Sequence, residues 1–194
     1  MLIVIEGIDG SGKSTHARLL ADYFESKSRK VVVSHEPTSG PFGQKLRDSA
    51  FTGRLSPDEE LELFLADRRH HLENLVNPAL ENGEVVILDR YYFSTMAYQG
   101  ARGFDPQAIK EMNEKFAPRP DFLFILDIPI DLALDRIGIR DGQANAFEKK
   151  EDLLKCQEIF KAITGDYVTH IDSSQSMETV HDLILKQMDA SSAK

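Results

Sequence analysis

The sequence predicts a three-layer α/β/α fold built on a five-stranded parallel sheet, and two observations carry that reading. Short runs rich in Val, Ile and Leu recur at residues 2–5, 31–33, 85–88, 122–126 and 167–171, without the apolar–polar alternation of a half-exposed strand. Continuous apolar runs of this length mark strands buried on both faces, the pattern of parallel sheets. Segments with helical spacing lie between them, and strands alternating with helices imply right-handed crossovers that cover both faces of one sheet.

In chain order, the first run leads through a glycine-rich bend into a helix over residues 13–27. The longest helical pattern covers residues 57–80, where Leu61, Phe64, Leu65, Leu72, Leu75, Val76, Ala79 and Leu80 fall three or four apart. Ser56 is placed to cap its start, and Asn82-Gly83 to stop it. A helix beginning near Phe93 follows the third strand, and shorter patterns cover residues 105–116, 130–136, 148–163 and 177–188. The stretch GIRDGQANAF at residues 138–147 is polar, contains glycine and lacks periodicity, which predicts a mobile loop.

With 194 residues, 41% apolar and 28% charged, the chain has the makings of a single globular domain spanning 1–194. A net charge of −9 disfavours a general nucleic-acid surface, which needs clustered Lys and Arg to displace counterions. The single cysteine, Cys156, gives no intrachain disulfide and reads as a small packed hydrophobe. No stretch approaches the ~20 apolar residues of a membrane span, and the start shows no basic leader. The expectation is a soluble, cytoplasmic protein with neither nucleic acid nor membrane as partner.

Residues 7–14 read GIDGSGKS, which satisfies G-x-x-x-x-G-K-[ST] directly after a strand and at the opening of a helix. Glycines at 7, 10 and 12 let the backbone turn its N–H groups inward as a nest for phosphate oxygens, at a helix N-terminus that already favours anions. Gly7, Ile8, Asp9, Gly10, Ser11 and Gly12, with Lys13, Ser14 and Thr15 opening the helix, therefore form the candidate cradle for a nucleoside triphosphate. Lys13 adds a point charge for the β- and γ-phosphates, and the Ser14 hydroxyl is a ligand for Mg²⁺. Asp89, at the end of the third apolar run, supplies a carboxylate for the same metal, and Arg90 beside it offers a forked phosphate contact.

Beyond this loop the chain resembles the thymidylate kinases. The resemblance rests on EGIDGSGKST at residues 6–15, HEP at 35–37, FLADR at 64–68, DRYYFSTMAYQG at 89–100, PRPDFLFILDIP at 118–129 and FEKKEDLLK at 147–155. It implies a P-loop kinase fold, transfer of a phosphoryl group from ATP to dTMP giving dTDP and ADP, Mg²⁺ as cofactor, and a homodimer. It also implies roles for an acceptor site. Phe64 stacks on thymine, and Arg68, one helical turn further on, bonds a base-edge oxygen. Thr95 and Gln99 offer hydroxyl and amide to the base edge, while Tyr98 presses on the deoxyribose. Glu36 and Pro37 border the base. Asp9 meets the 3′-hydroxyl, and Arg90, helped by Arg47, holds the dTMP phosphate.

With Gly10 where other members carry a basic residue, the sequence resembles the bacterial-type subgroup, whose transition-state arginine comes from a lid. Over residues 136–148 that lid offers Arg140 as the finger, with Arg136 as runner-up or phosphate clamp. Two positions depart from the family pattern: Ala146 stands where an arginine commonly precedes the FE pair, and His35 where an arginine usually precedes EP. The adjacent His70-His71 point about 100° apart on a helix, which reads as helix surface with no metal role. Residues 172–174, after the last strand, are where adenine is expected to rest. Two other readings stay open at this level: a kinase for another deoxynucleotide or a deoxynucleoside, and a P-loop module that binds ATP without catalysis.

Overall fold

The computed structural model describes residues 1–53, 55–141 and 146–192, apart from the side chains of 50–52, 139–141, 146–149 and 191–192. Five strands, β1 (Leu2–Glu6), β2 (Val31–His35), β3 (Val85–Asp89), β4 (Phe122–Asp127) and β5 (Val168–Asp172), form one sheet in the order β2-β3-β1-β4-β5. Every pairing is parallel, and the register sets Ile5 beside Asp89 and Glu6 beside Ile125. β1 is thus central, and the loops leaving β1 and β3 emerge side by side at the carboxyl edge, where open α/β sheets hold their ligands.

Alternation along the inner strands divides the core between the two faces of the sheet. Leu2 and Val4 of β1 join Val86, Leu88, Leu123 and Ile125 in one cluster. Helices α3 (Pro57–His71), α5 (Tyr92–Gly100), α6 (Pro106–Glu114) and α8 (Ala146–Ala162) cover it with Leu61, Phe93, Met96, Ile109 and Phe160. Ile3 and Ile5 join Ile87, Phe124 and Leu126 on the opposite face, under α1 (Lys13–Ser26) and α9 (Met177–Ser192). The predicted three layers follow from this division.

The prediction that all strands are buried on both faces holds for β1, β3 and β4 and fails for β2 and β5. These are the outer strands, partly or fully exposed at every position except Ile171, and Val33 is 45% exposed. Edge strands have a neighbour on one side only, so apolar runs there do not require full cover.

Helix α3 begins as predicted. Ser56 Oγ accepts from Glu59 N–H while Glu59 returns a bond to the Ser56 backbone, a reciprocal cap followed by Pro57. The predicted single helix to residue 80 is instead α3, a π-helical turn (Leu72–Val76) and α4 (Asn77–Glu81). Pro78 is the physical reason, because a proline ring clashes with the carbonyl four residues back, and the wider turn moves that carbonyl aside. A helix absent from the prediction, α2 (Pro41–Thr52), fills the stretch after β2. Its interior Gly43 weakens the helical signal but is required, since a Cβ there would lie 2.0 Å from the Thr38 carbonyl oxygen. Helix α7 (Ile130–Asp141) runs past its predicted end at 136.

The contrast between inner and outer strands is measurable. Leu88→Ala, at a fully buried site of β3, is expected to lower unfolding free energy by about 2–5 kcal/mol in urea titrations. Val33→Ala on the exposed edge should cost less than about 1 kcal/mol.

Candidate active site

The phosphate loop is shaped by backbone that only glycine tolerates. Gly10 has φ 82°, and a Cβ on it would lie 2.6 Å from the Ala133 carbonyl oxygen of α7. Lys13 is buried and donates from Nζ to the Ile8 carbonyl at 2.8 Å. Burial and the neighbouring Arg90 pull its ammonium below the usual lysine range, and Asp9, Asp89 and Glu6 pull it back. The Ser14 hydroxyl donates to the Asp89 carboxylate, so the two predicted metal ligands are adjacent. A hydroxyl and a carboxylate oxygen side by side next to a phosphate cradle fit Mg²⁺, a hard cation that takes few protein oxygens and completes its shell with phosphate and water.

A cavity of about 610 Å³ opens over this loop, lined by residues 9–16, Asp89, Arg90, Arg136 and, from the β5–α9 segment, Ser173, Gln175, Met177 and Val180. Arg136 spans it, donating to the Gly10 carbonyl at 3.3 Å and to the Ser173 carbonyl at 3.4 Å. Ser173 lies within the stretch predicted to receive adenine. His16 also lines the cavity, buried, with Nδ1 unpartnered among the described residues, and its ring stacks on His181 at 6.4 Å. Burial, then His181 and Arg136, push its pKa down to about 4.

A second cavity of about 540 Å³ lies on the far side of the loop. Every acceptor-site residue singled out in the sequence lines it: Asp9, Glu36, Pro37, Arg47, Phe64, Arg68, Arg90, Thr95, Tyr98 and Gln99. They come from the β1 loop, the end of β2, α2, α3, the β3 turn and α5. Arg68 is not the solvated charge that its type alone suggests. It is 1% exposed and donates to Glu36 (2.8 Å), Asn113 (2.6 Å) and Thr95 Oγ1 (3.0 Å), so its plane is fixed against the cavity by three partners. His71 corrects the surface reading of the His70-His71 pair. It is buried and lies 3.0 Å from Glu36 Oε1 and 2.8 Å from Ser34 Oγ. Asp67 accepts from Thr38 N–H and Oγ–H at 2.7 and 2.6 Å, and Arg47 donates to the Pro37 and Thr38 carbonyls at 3.1 and 2.6 Å. The cavity wall after β2 is thereby tied to α2 and α3.

The two cavities share Asp9 and Arg90. Arg90 Nη2 donates to Asp9 at 2.6 Å and Nη1 to Ser94 Oγ at 2.8 Å, and the guanidinium lies over the Tyr98 ring at 5.2 Å. Burial lowers the Arg90 pKa, but Tyr98, Asp9, Glu6 and Asp89 together outweigh it, so the group stays charged. Burial in turn pushes the Tyr98 phenol up to about 12, leaving it a neutral donor.

The second cavity also contains residues that the sequence did not single out as site residues. Gln99 Nε2 donates to Glu60 at 2.8 Å, and Arg102 pairs with the same carboxylate. Asp152, Leu153 and Cys156 of α8 form another side. Cys156 is packed as expected, 2% exposed with Sγ 3.6 Å from the Ala97 carbonyl, and burial pushes its thiol up to about 12. The remaining predicted site residue, Arg140, has its side chain outside the described residues, as does most of the stretch predicted to be a mobile lid.

A phosphate loop after the central strand of a parallel sheet, with a second cavity sharing its wall, defines a P-loop kinase. Comparison with known proteins narrows the class. The thymidylate kinase family model matches residues 5–184. The thymidylate kinase of Akkermansia muciniphila is 51% identical over 187 residues, covering 96% of this chain and 90% of that protein. That of Desulfotalea psychrophila is 47% identical over 190 residues, covering 96% and 93%. The crystal structure of thymidylate kinase from Ehrlichia chaffeensis superposes with a TM-score of 0.78 at 28% identity, covering 97% of this chain and 98% of that one. The chain belongs to the thymidylate kinase family.

The buried His16 gives the site a signed pH dependence. Its pKa falls from 6.5 to about 4 on folding, so between these values the unfolded chain binds a proton that the native chain refuses, and stability drops as pH falls. His16→Gln is expected to remove on the order of 1–2 kcal/mol of that acid-side loss, read from urea unfolding at about pH 7.5 and about pH 5.

Proposed function

We propose that this chain transfers the γ-phosphoryl group of ATP to dTMP, releasing dTDP and ADP, with ATP in the cavity over the phosphate loop and dTMP in the cavity of Phe64 and Arg68. The observation that carries this reading is the wall of Asp9 and Arg90 common to both cavities. A group transferred between two nucleotides must cross such a wall, and both residues there present polar groups.

Phosphoryl transfer asks little proton chemistry of a protein, because its transition state is loose and the charge sits on phosphate oxygens. Alignment and fixed positive charge supply most of the acceleration. The backbone amides of residues 7–15 and Lys13 hold the donor polyphosphate. Arg90, with Arg47, holds the acceptor phosphate facing it, and Asp9 takes the 3′-hydroxyl. Phe64 stacks on the thymine while Arg68, Thr95 and Gln99 read its edge, under the border made by Glu36 and Pro37. Tyr98 crowds the sugar where a ribonucleotide carries its 2′-hydroxyl. Ser14 and Asp89 are the residues that would hold Mg²⁺, which when bound neutralises charge on the β- and γ-phosphates. Arg140 is the transition-state finger, with Arg136, already across the donor cavity, as phosphate clamp. A homodimer and a cytoplasmic setting belong to the same proposal. They are supported by family membership, and no helix among the described residues is long and apolar enough to cross a membrane.

An ADP-release assay with ATP and a panel of dTMP, dUMP, thymidine, CMP and AMP tests the reading. dTMP should give the highest kcat/KM, and preference for thymidine, or ATP binding without turnover of any acceptor, would overturn it. Arg140→Ala should lower kcat by ~10³-fold or more with the KM for dTMP little changed. Near-normal turnover in that variant would reject the finger assignment.

A further inference from the structure

Glu6 closes β1, is fully buried, and takes no part in the transfer as proposed. Its carboxylate accepts from Tyr91 N–H at 2.7 Å, from Ser94 N–H at 3.0 Å and from the Ser94 hydroxyl at 2.6 Å. The same hydroxyl oxygen accepts from Arg90 Nη1 at 2.8 Å, and Arg90 Nη2 continues to Asp9. A chain of carboxylate, hydroxyl, guanidinium and carboxylate therefore runs from the central strand to the wall between the cavities.

Two features of the backbone show why this position needs a tether. Arg90 has φ 74°, a left-handed conformation that a long side chain rarely adopts without outside support. Its N–H is held by the Ile5 carbonyl at 3.0 Å, and the next residue, Tyr91, is held by Glu6, so both sides of the strained turn are fastened to the end of β1. Helix α5 has Tyr91 as its N-cap residue, which provides no side-chain cap. Glu6 fills that role from a distant part of the chain, and so sets where α5 starts. That helix carries Thr95, Tyr98 and Gln99 into the acceptor cavity. Glu6 is also the residue before Gly7, where the phosphate loop begins.

We infer that Glu6 is a positioning residue for the transfer: acting through Ser94, it fixes the Arg90 guanidinium and the start of α5 against the phosphate loop, so that the two nucleotides meet in line. This rests on the proposed role of Arg90 at the acceptor phosphate. A carboxylate serving only as a cap would stabilise the fold and leave turnover untouched, whereas a positioning group acts on kcat.

Ser94→Ala cuts the link between Glu6 and Arg90 while leaving both amide contacts to Glu6, and Glu6→Gln weakens the chain at its root. Each is expected to lower kcat ~10- to 100-fold, since small misplacements cost that much. The KM for ATP should stay within about twofold and the fall in kcat should exceed any rise in the KM for dTMP, the sign of an interaction that matters more in the transition state than in the ground state. In an Arg90→Lys background the Ser94→Ala loss should largely vanish, because both changes disable one unit. The inference is overturned if Ser94→Ala turns over normally, or if its loss adds in full to that of Arg90→Lys. Should Glu6→Gln fail to fold, the Ser94 cycle decides alone. Normal turnover by Arg90→Lys itself would remove the acceptor reading and the inference with it, whereas a damaged Arg90→Lys beside a normal Ser94→Ala removes the inference only.

Discussion

The contact between Arg90 and Asp9, 2.6 Å long, joins the loop after β1 to the turn after β3. Everything else about the site depends on these two loops emerging side by side. The parallel pairing of β1 with β3 brings this about by setting Ile5 opposite Asp89. A slip of one residue in that register would turn Arg90 away from Asp9 and send the alternating core residues to the wrong face. The fold is thus constrained from within by Val4 and Leu88 packing on one side and Ile5 and Ile87 on the other, before any ligand is considered.

Around that contact the protein buries several ionisable side chains. Arg68, Glu36, Asp67 and Lys13 are all at most 6% exposed. Buried ions carry a desolvation cost that their mutual attraction does not always recover, and hydrophobic replacements of similar shape often serve stability as well. Here Arg68 is fixed by Glu36, Asn113 and Thr95, and Asp67 by the Thr38 backbone and hydroxyl. Such networks hold the polar groups of the cavity wall in place before a charged nucleotide arrives, which is the form that electrostatic preorganisation takes.

Much of this was legible in the sequence because the signals were local. The spacing of Gly7, Gly10, Gly12 and Lys13 after an apolar run announces the phosphate loop. Ser56 ahead of a helical pattern announces the start of α3, and the FLADR and DRYYFSTMAYQG segments carry much of the resemblance that assembled the acceptor set. What escaped depends on contacts far apart in the chain. Nothing near Glu6 reveals that it would bond Tyr91 and Ser94, 85 and 88 positions away. The only hint is a carboxylate ending a run as apolar as LIVI, where a charge must find donors. His71 was misread because adjacency to His70 says nothing about Glu36, 35 positions back. Helix α2 was hidden by Gly43, which looks like a breaker in sequence but is a close-approach site in space. The exposure of β2 and β5 depends on strand order, which an apolar run does not encode.

On the proposed function, donor and acceptor phosphates meet at the Asp9–Arg90 wall. A crystal structure of the chain with a non-hydrolysable ATP analogue, Mg²⁺ and dTMP tests it most directly. The triphosphate is expected in the amides of residues 7–15 with Lys13 on it. Thymine is expected on Phe64 and the dTMP phosphate within hydrogen-bond distance of Arg90. A complex in which dTMP lies outside the Phe64 cavity, or in which Arg90 keeps no contact with either nucleotide, would contradict it.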